Sequence, residues 1–585
     1  MSSAPGRRFA RRYWLIGLAV AASACSGFIQ PPGSSKGKGS DGSGNGSGSA
    51  GSPGSPSSAG SAGNDPSGDP LSPTAAGQTA CTVEALAPAR VWRLTHAQYR
   101  NTLREVFGFD VPVVGNFPAE SRLDGFANAA ERLSVSPVLL EYYGQAAAEM
   151  AAAVAGKSSE FLTCPLQDLA GGTCLGNFLR TVGSKAWRRP LGDEEVSRFT
   201  KLYTDAAAAL GPEGGFKTVV EGLLLSANFL FRTELGDPAA AKGNIVPLTG
   251  LELASAMSYL IWDAPPDAEL MRLADQGKLE DPEVRAAEAR RLLAKAQAAP
   301  AALHDFLRQW LETEDFLRKE KDPEVFPEYS PEMAQDLVRE TERFVEEVVF
   351  EAGGDRSLTT LLTAPWGYLN ARTAKLYGAT AAGPELGRTE LDPSQRRGLF
   401  TQASFLAAHA EPAATSVVAR GRFIREEVLC SAVPPPPEDF KFDEKVITED
   451  MTAREKFIEH SKNPSCAACH ALFDSLGFAL ENYDAIGQYR TTEKGKTIDP
   501  SGELPLDSGQ KVPFDNFIDL VEKLAKGKEA YACFAAQYLQ YASGRLKLDR
   551  CETENLARAF VDSGHRLDAL VAAWVSAPGF ASRRQ

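Results

Sequence analysis

The sequence predicts a mostly α-helical protein, in which several packed helical domains follow a disordered N-terminal tether. Three observations predict this. Beyond residue 80, apolar residues recur at helical spacing over many stretches. Alternation typical of strands is rare in the same part of the chain. Residues 30–79 consist mainly of Gly, Ser, Pro and Ala, a composition that buries too little apolar surface to fold.

The first element is an export signal. Four arginines among residues 7–12 precede the apolar run Tyr13 to Ala22, which is too short to span a bilayer. The run ends in small residues before Cys25 and resembles the lipobox of bacterial lipoproteins, in which the cysteine is acylated. Ordinary signal-peptidase cleavage beside an incidental cysteine is the alternative. We expect residues 1–25 to be a lipoprotein signal peptide, and Ser26 favours the outer membrane, on its periplasmic or surface side.

The second element is the tether, residues 26–80. A Gly/Ser/Pro-rich coil of this length has a root-mean-square reach of roughly 40 Å. We expect it to hold the folded part away from the membrane, which is the first predicted partner.

Composition excludes some classes of function. The net charge is −14, and Lys and Arg are interleaved with Asp and Glu, so no nucleic acid partner is expected. Beyond the tether, the sequence has no Gly-x-Ser-x-Gly elbow, no His-Glu-x-x-His and no phosphate loop. A glycosidase that uses a carboxylate pair stays open, because Asp and Glu are too common to be diagnostic.

The folded part contains many predicted helices. Thr95 and Thr249 are suitable N-cap residues for the helices that follow them. The main predicted helices are 101–107, 137–155, 175–186, 216–230, 251–261, 282–298, 301–312, 331–351, 514–524, 529–542, 551–562 and 566–576.

The most specific motif is Cys466-Ala467-Ala468-Cys469-His470. A c-type haem needs two thiols at this spacing to bind its vinyl groups, and a histidine directly after the second thiol to ligate iron. The alternatives are a zinc half-site or a Cys466–Cys469 disulfide. Zinc would need two more ligands nearby, and the sequence has no second Cys pair. We expect one covalent haem c, with Cys466, Cys469 and His470 as cofactor-binding residues.

The second axial iron ligand is less defined. Haem in electron-transfer proteins usually takes Met or His there, and no Met lies downstream of the motif. His460 is the candidate metal ligand, although a histidine at a helix terminus commonly bonds to backbone. Met451, His565, a non-standard ligand or an open site are the alternatives.

Six other cysteines suggest disulfides in an exported protein. Proximity favours Cys164–Cys174 and Cys533–Cys551, and elimination then leaves Cys81–Cys430. Buried free thiols are the alternative. Sequence alone does not fix the connectivity.

The residues around the motif resemble a known family of large exported proteins, abundant in planctomycetes and myxobacteria and grouped as planctomycete-type cytochrome c-like proteins. These proteins consist of five domains of unknown function, numbered 1587, 1595, 1592, 1588 and 1585 in that order. The resemblance rests on short stretches spread along the chain: 93–95, 99, 101–102, 186–191, 252–254, 258–260, 265–267, 309–311, 396–399, 420–421, 453–455, 460, 464–470, 474, 476–487, 489–490, 533–534, 541–542 and 544–545.

The resemblance implies five domains, at residues 81–160, 161–240, 241–385, 386–500 and 501–585, with the haem motif in the fourth. Ser475 stands where the family pattern has Pro. The family has no settled activity. The function expected here therefore rests on the haem motif, and it is electron transfer or another redox role with an unknown redox partner. A haem oxidoreductase acting on an extracellular substrate and a surface binding or structural protein are the alternatives. Whether the protein is an enzyme stays open.

Overall fold

The computed structural model describes residues 86–122, 125–295, 300–351, 353–434, 448, 450–462 and 464–585. The predictions for the signal peptide, Cys25, the tether and Cys81 lie outside these residues. The predicted fold class is confirmed, because helices dominate this part of the chain and the sheets are few and small.

Helices occupy most of the described sequence. The α-helices are His96–Phe107, Pro137–Gly156, Ser158–Phe161, Thr173–Phe178, Ser184–Trp187, Asp193–Leu224, Ala227–Leu230, Gly250–Trp262, Ala268–Asp275, Pro282–Ala294, Pro300–Trp310, Pro331–Val349, Leu358–Thr363, Ala403–Ala408, Val417–Phe423, Ala453–His460, Pro464–His470, Asp474–Phe478, Phe517–Leu524, Lys528–Ser543, Arg550–Asp562, Leu567–Ser576 and Pro578–Ala581. Two π-helical turns, Leu179–Gly183 and Ile424–Val428, continue α-helices. Short 3-10 turns are Pro112–Asn116, Leu166–Gly171, Pro238–Ala240, Lys278–Glu280, Phe316–Arg318, Ala374–Tyr377 and Leu399–Thr401.

Local sequence explains where several helices begin. The Thr95 hydroxyl accepts a hydrogen bond from the backbone N–H of Gln98, and the Gln98 side-chain oxygen accepts one from the backbone N–H of Thr95. Thr249 and Glu252 form the same reciprocal arrangement. Both predicted N-caps are therefore confirmed. The helix Asp193–Leu224 is interrupted at Gly211, which has a φ of 76° and is followed by Pro212.

The strands form two-stranded antiparallel sheets. The pairs are Arg90–Arg93 with Phe231–Glu234, Ile245–Pro247 with Ser582–Arg584, Trp366–Leu369 with Gly387–Glu390, Thr492–Glu493 with Lys496–Thr497, and Gly502–Pro505 with Lys511–Phe514. The first two pairs join residues that are far apart in sequence. All described residues fall in a single compact unit.

Aromatic side chains pack the centre of this unit. Phe306 lies 5.5 Å from Phe534 and 5.3 Å from Tyr541, measured between ring centroids. Trp310 lies 5.0 Å from Phe534 and 6.3 Å from Phe423. These rings join residues 300–310, the helix Val417–Phe423 and the C-terminal helices into one core.

The disulfides correct part of the prediction. Cys164–Cys174 forms as expected. Cys430 pairs with Cys533, however, so the predicted Cys533–Cys551 and Cys81–Cys430 pairs are wrong. The reason is tertiary packing, since helix Lys528–Ser543 lies against the π-turn Ile424–Val428, which ends just before Cys430. Cys551 is disulfide-bonded as well.

Candidate functional site

The haem-like motif lies on a short helix, Pro464–His470, which we call the motif helix. Positions 466, 469 and 470 are three and four residues apart, a spacing that brings helix positions to one face. The chain turns directly afterwards, where the backbone N–H of Phe473 donates to the carbonyl of His470 at 3.2 Å. This turn leads into the helix Asp474–Phe478.

The imidazole of His470 is oriented by a carboxylate. Its Nδ1 lies 2.9 Å from Oδ1 of Asp474, and both side chains are largely buried, with 16% and 12% of their surface exposed. The ring of Phe473 lies 5.2 Å away and that of Phe457 5.6 Å away. With Nδ1 engaged by the carboxylate, ligation of a metal would have to use Nε2.

Two opposing effects act on the pKa of Asp474. Burial raises the pKa of Asp474, and the hydrogen bond with His470 acts in the opposite direction. The carboxylate is thus a partly desolvated hydrogen-bond acceptor whose partner is the motif histidine. Such an acceptor increases the basicity of a ligating imidazole.

The other predicted site residues are placed as follows. Cys469 is a half-buried free thiol, so it does not form the alternative disulfide. The side chains of Cys466 and His460 lie outside what the structure describes. Across the described ranges, no group of three or more His, Cys, Asp or Glu side chains is arranged to hold a metal ion.

His565, an alternative distal ligand, is placed by aromatic packing. Its ring stacks on Tyr531 with centroids 3.4 Å apart and an interplanar angle of 3°. Its Nδ1 lies 3.4 Å from Oγ1 of Thr359. These contacts are made with the helices Lys528–Ser543 and Leu358–Thr363 and not with the motif helix.

The helix that follows the motif helix, Asp474–Phe478, crosses the helix Val417–Phe423 closely. Each helix has a glycine at the point of contact. A Cβ on Gly421 would lie 2.3 Å from the carbonyl oxygen of Phe473, and one on Gly477 would lie 2.2 Å from that of Val417. Ser475 donates to the backbone carbonyl of Glu503 at 2.6 Å, which ties the helix to the strand Gly502–Pro505.

A fully buried arginine holds the loop after this helix. Arg420 donates to the carbonyls of Leu480 and Tyr483 at 2.9 and 2.7 Å, and to those of Leu406 and Asp484 at 3.1 and 2.8 Å. One guanidinium therefore satisfies four carbonyl groups, three of them in fully buried hydrogen bonds.

The acidic residues near the motif have distinct structural partners. Glu481 accepts from Arg490 at 3.0 Å and from Thr415 at 2.8 Å, and burial raises its pKa. Asp484 accepts from the backbone N–H groups of Ile486 and Gln488. Only Asp474 contacts the motif histidine among these three acids.

Sequence reasoning missed two parts of this site. The contact of Asp474 with His470 could have been suspected from the i, i+4 spacing, although the chain bends between the two residues. The role of Arg420 had no local signal, because its four acceptors come from two distant segments.

Within the parts of the chain that the structure covers, no helix combines the length and the apolar character needed to cross a membrane.

Comparison with known families gives five matches along the chain. Each family is described as a protein of unknown function: DUF1587 at residues 92–156, DUF1595 at 174–234, DUF1592 at 248–379, DUF1588 at 396–493 and DUF1585 at 510–580. The motif lies in the fourth match, whose short name, PSCyt3, is cytochrome-like. No curated protein and no solved structure matches the chain. The order of regions agrees with the predicted family, and the predicted domain limits stay predictions.

Proposed function

Since the chain belongs to the family of proteins built from these five regions in this order, we propose that it is a c-type haem protein of the cell envelope that transfers electrons. The observation that carries the proposal is the motif helix, where Cys-x-x-Cys-His ends in a histidine held by a buried carboxylate. The cytochrome-like name of the matching region supports it.

The residues present suit a covalent haem. Attachment needs reduced thiols, and Cys469 is a free thiol. Cys466 and Cys469 would hold the porphyrin through thioethers, and His470 would ligate iron through Nε2. When bound, the haem supplies a one-electron carrier.

The chain's own residues then have defined tasks. Asp474 accepts the Nδ1 hydrogen of His470, which fixes the tautomer and the ring orientation. Phe457 and Phe473 flank the imidazole and limit its rotation. Arg420 and the glycine crossing hold the backbone on which these side chains stand.

The remaining assignments complete the proposal. His460 would be the second protein ligand of the haem iron. Acylation of Cys25 anchors the protein to the outer membrane, and the tether of residues 26–80 gives the folded part reach toward a redox partner. The acidic net charge of −14 favours a partner that presents a basic surface.

The test is covalent haem content. We would express the full chain in a host with c-type maturation, denature it, and combine a haem-stained gel with a pyridine haemochrome spectrum. Wild type should retain haem, and Cys466→Ala and His470→Ala should lose most of it. A Cys164→Ser/Cys174→Ser variant removes two other cysteines, which form a disulfide with each other, and should retain haem. Absence of covalent haem from wild type, in cells that mature a reference cytochrome, would refute the proposal.

The axial ligand and the redox role need separate measurements. Reduced spectra with and without carbon monoxide should show no ligand binding in wild type and binding in His460→Ala. A reversible one-electron titration should accompany this. Rapid carbon monoxide binding by wild type would overturn the assignment of His460 and favour an enzyme over an electron carrier.

A further inference from the structure

A small, partly enclosed cavity with a mixed polar and apolar lining contains no residue of the motif helix. Its volume is about 20 Å³. Residues from four of the five family regions line it, among them Asn128, Arg232, Tyr259 and Ser543. A volume of this size holds roughly one small ligand.

One guanidinium at the cavity, that of Arg232, is attracted by the charge of Glu234 but makes no direct ion pair with a carboxylate in the described part of the chain. Arg232 is 5% exposed and lies between the rings of Trp92 and Tyr259, with its Cζ 4.4 and 5.0 Å from their centroids. Its Nε has no hydrogen-bond partner among the residues that the structure describes. A buried guanidinium without such partners is costly, because desolvation is not offset.

The neighbouring carboxylate is engaged by two other arginines. Oε2 of Glu234 accepts from Nε of Arg90 at 2.7 Å, and from Nε and Nη2 of Arg583 at 2.9 and 2.6 Å. Glu234 is 2% exposed and Arg583 is 4% exposed. One negative charge is therefore shared between two guanidinium groups before Arg232 is considered.

The charges that line the cavity do not balance. Among the lining side chains, Arg90, Arg232 and Arg583 contribute three positive charges and Glu234 one negative charge, a formal excess of two. Asp263, behind the lining residue Gln98, also acts on Arg232, but burial raises its pKa to about 7, so it supplies only part of a negative charge at neutral pH. Burial lowers the pKa of Arg232 to about 10, so this side chain is still cationic at neutral pH.

Three further buried polar atoms border the same space. Nε1 of Trp574 and Oγ of Ser543 are potential donors, and Oδ1 of Asn128 is an acceptor. None has a partner in the described part of the chain, and the three residues are 2–4% exposed. The Nδ2 group of Asn128 donates to the carbonyl of Tyr541 at 2.8 Å, which fixes its amide orientation.

We propose that this cavity binds a small monatomic anion of chloride size, with Arg232 as its charged partner and Trp574 and Ser543 as further donors. Water could serve the donors, but it would not offset the excess of positive charge. Larger anions such as phosphate exceed the space.

The first variant is Asn128→Asp, which places a carboxylate at the cavity. It also removes the Nδ2 donor to the carbonyl of Tyr541, so a lower melting temperature is expected and only its dependence on halide is compared. Thermal unfolding of the full chain would be followed at constant ionic strength while gluconate, which is too large to enter, is replaced by chloride or bromide. The melting temperature of wild type should rise with halide and saturate. Asn128→Asp should lose this dependence, because its own carboxylate supplies the negative charge. Asn177→Asp, the same substitution at an exposed site, should keep it.

Two results would overturn the inference. One is an identical halide dependence in wild type and Asn128→Asp. The other is a crystal grown in bromide that shows no anomalous signal beside Arg232 and only water density there. Ser543→Ala provides a mild second variant and should weaken the apparent halide affinity several-fold. None of these measurements depends on haem.

Discussion

At the scale of single residues, Asp474 is the side chain with the most direct consequence for the proposed haem. A carboxylate that accepts from the Nδ1 hydrogen of a ligating histidine makes the imidazole more basic and stabilises the oxidised metal. Asp474→Asn keeps the shape and removes the charge. We expect the reduction potential of the haem to be higher in this variant than in wild type. A tenfold change in the equilibrium constant for one-electron reduction corresponds to about 59 mV.

A spectroelectrochemical titration measures this shift. Asp484→Asn is the matched control, because Asp484 lies in the same region and hydrogen-bonds to backbone rather than to His470. Equal potentials for wild type and Asp474→Asn would show that the carboxylate does not influence the iron.

Glu340 gives a prediction about pH. Its side chain is fully buried beside Tyr377 and Arg396, and burial raises its pKa from 4.5 to about 8. The folded state therefore holds this proton more tightly than the unfolded state does. The contribution of Glu340 to the free energy of unfolding should be largest below about pH 4.5. It should decrease as the pH rises toward 8, by at most about 1.4 kcal/mol per pH unit.

Glu340→Gln removes this titration. Urea unfolding at pH 5, 6, 7 and 8 should show that the stability of the variant relative to wild type increases with pH. Other buried carboxyls with raised pKa values titrate in both wild type and the variant. These are Glu120, Asp263, Glu314 and Glu427. Only the difference in the free energy of unfolding between wild type and the variant is therefore informative. A constant difference across this range would contradict the assignment.

At the scale of elements, the crossing of Val417–Phe423 and Asp474–Phe478 is the tightest requirement near the motif. Gly421→Ala would place a methyl group 2.3 Å from the carbonyl oxygen of Phe473, which is backbone and cannot move aside cheaply. We expect a loss of roughly 1–3 kcal/mol in the free energy of unfolding, together with lower haem incorporation.

The control is Gly144→Ala, in the interior of helix Pro137–Gly156, where an added Cβ meets nothing within 4 Å. Higher helix propensity should make that variant as stable as wild type or about 1 kcal/mol more stable. Urea denaturation compares the two. A neutral Gly421→Ala would mean that the helices can separate at no cost.

Elements also show what sequence reasoning can reach. The helices and the caps at Thr95 and Thr249 were predictable, because their signals lie within a few residues of one another. The pairing of Arg90–Arg93 with Phe231–Glu234 was not, since each strand has only four residues and the partner is far away in sequence. The same limit applies to the site: the motif is local, whereas Arg420 and the aromatic core depend on tertiary packing.

At the scale of the whole molecule, the five family regions are joined into one unit by contacts that cross their limits. Arg583, near the C-terminus, donates to Glu234 in the second region. Tyr541 in the fifth region donates to Asp305 in the third at 3.0 Å. Disturbance of the C-terminal region should therefore weaken the first regions as well, and unfolding should proceed as a cooperative event.

The two described disulfides test this view, because they close loops of very different length. Cys430–Cys533 joins residues 103 apart and links the fourth region to the fifth, whereas Cys164–Cys174 spans only 10. Chain-entropy arguments assign about 5 kcal/mol to the long loop and about 3 kcal/mol to the short one. Cys430→Ser/Cys533→Ser should therefore cost more stability than Cys164→Ser/Cys174→Ser, as measured by denaturant unfolding of both double variants. It should also lower haem incorporation, since the helix that carries Cys533 packs against the turn leading to Cys430 and the motif. An equal or smaller loss for the long loop would show that the fourth and fifth regions hold together without the covalent link, through Trp310 of the third region, which packs against both Phe423 and Phe534.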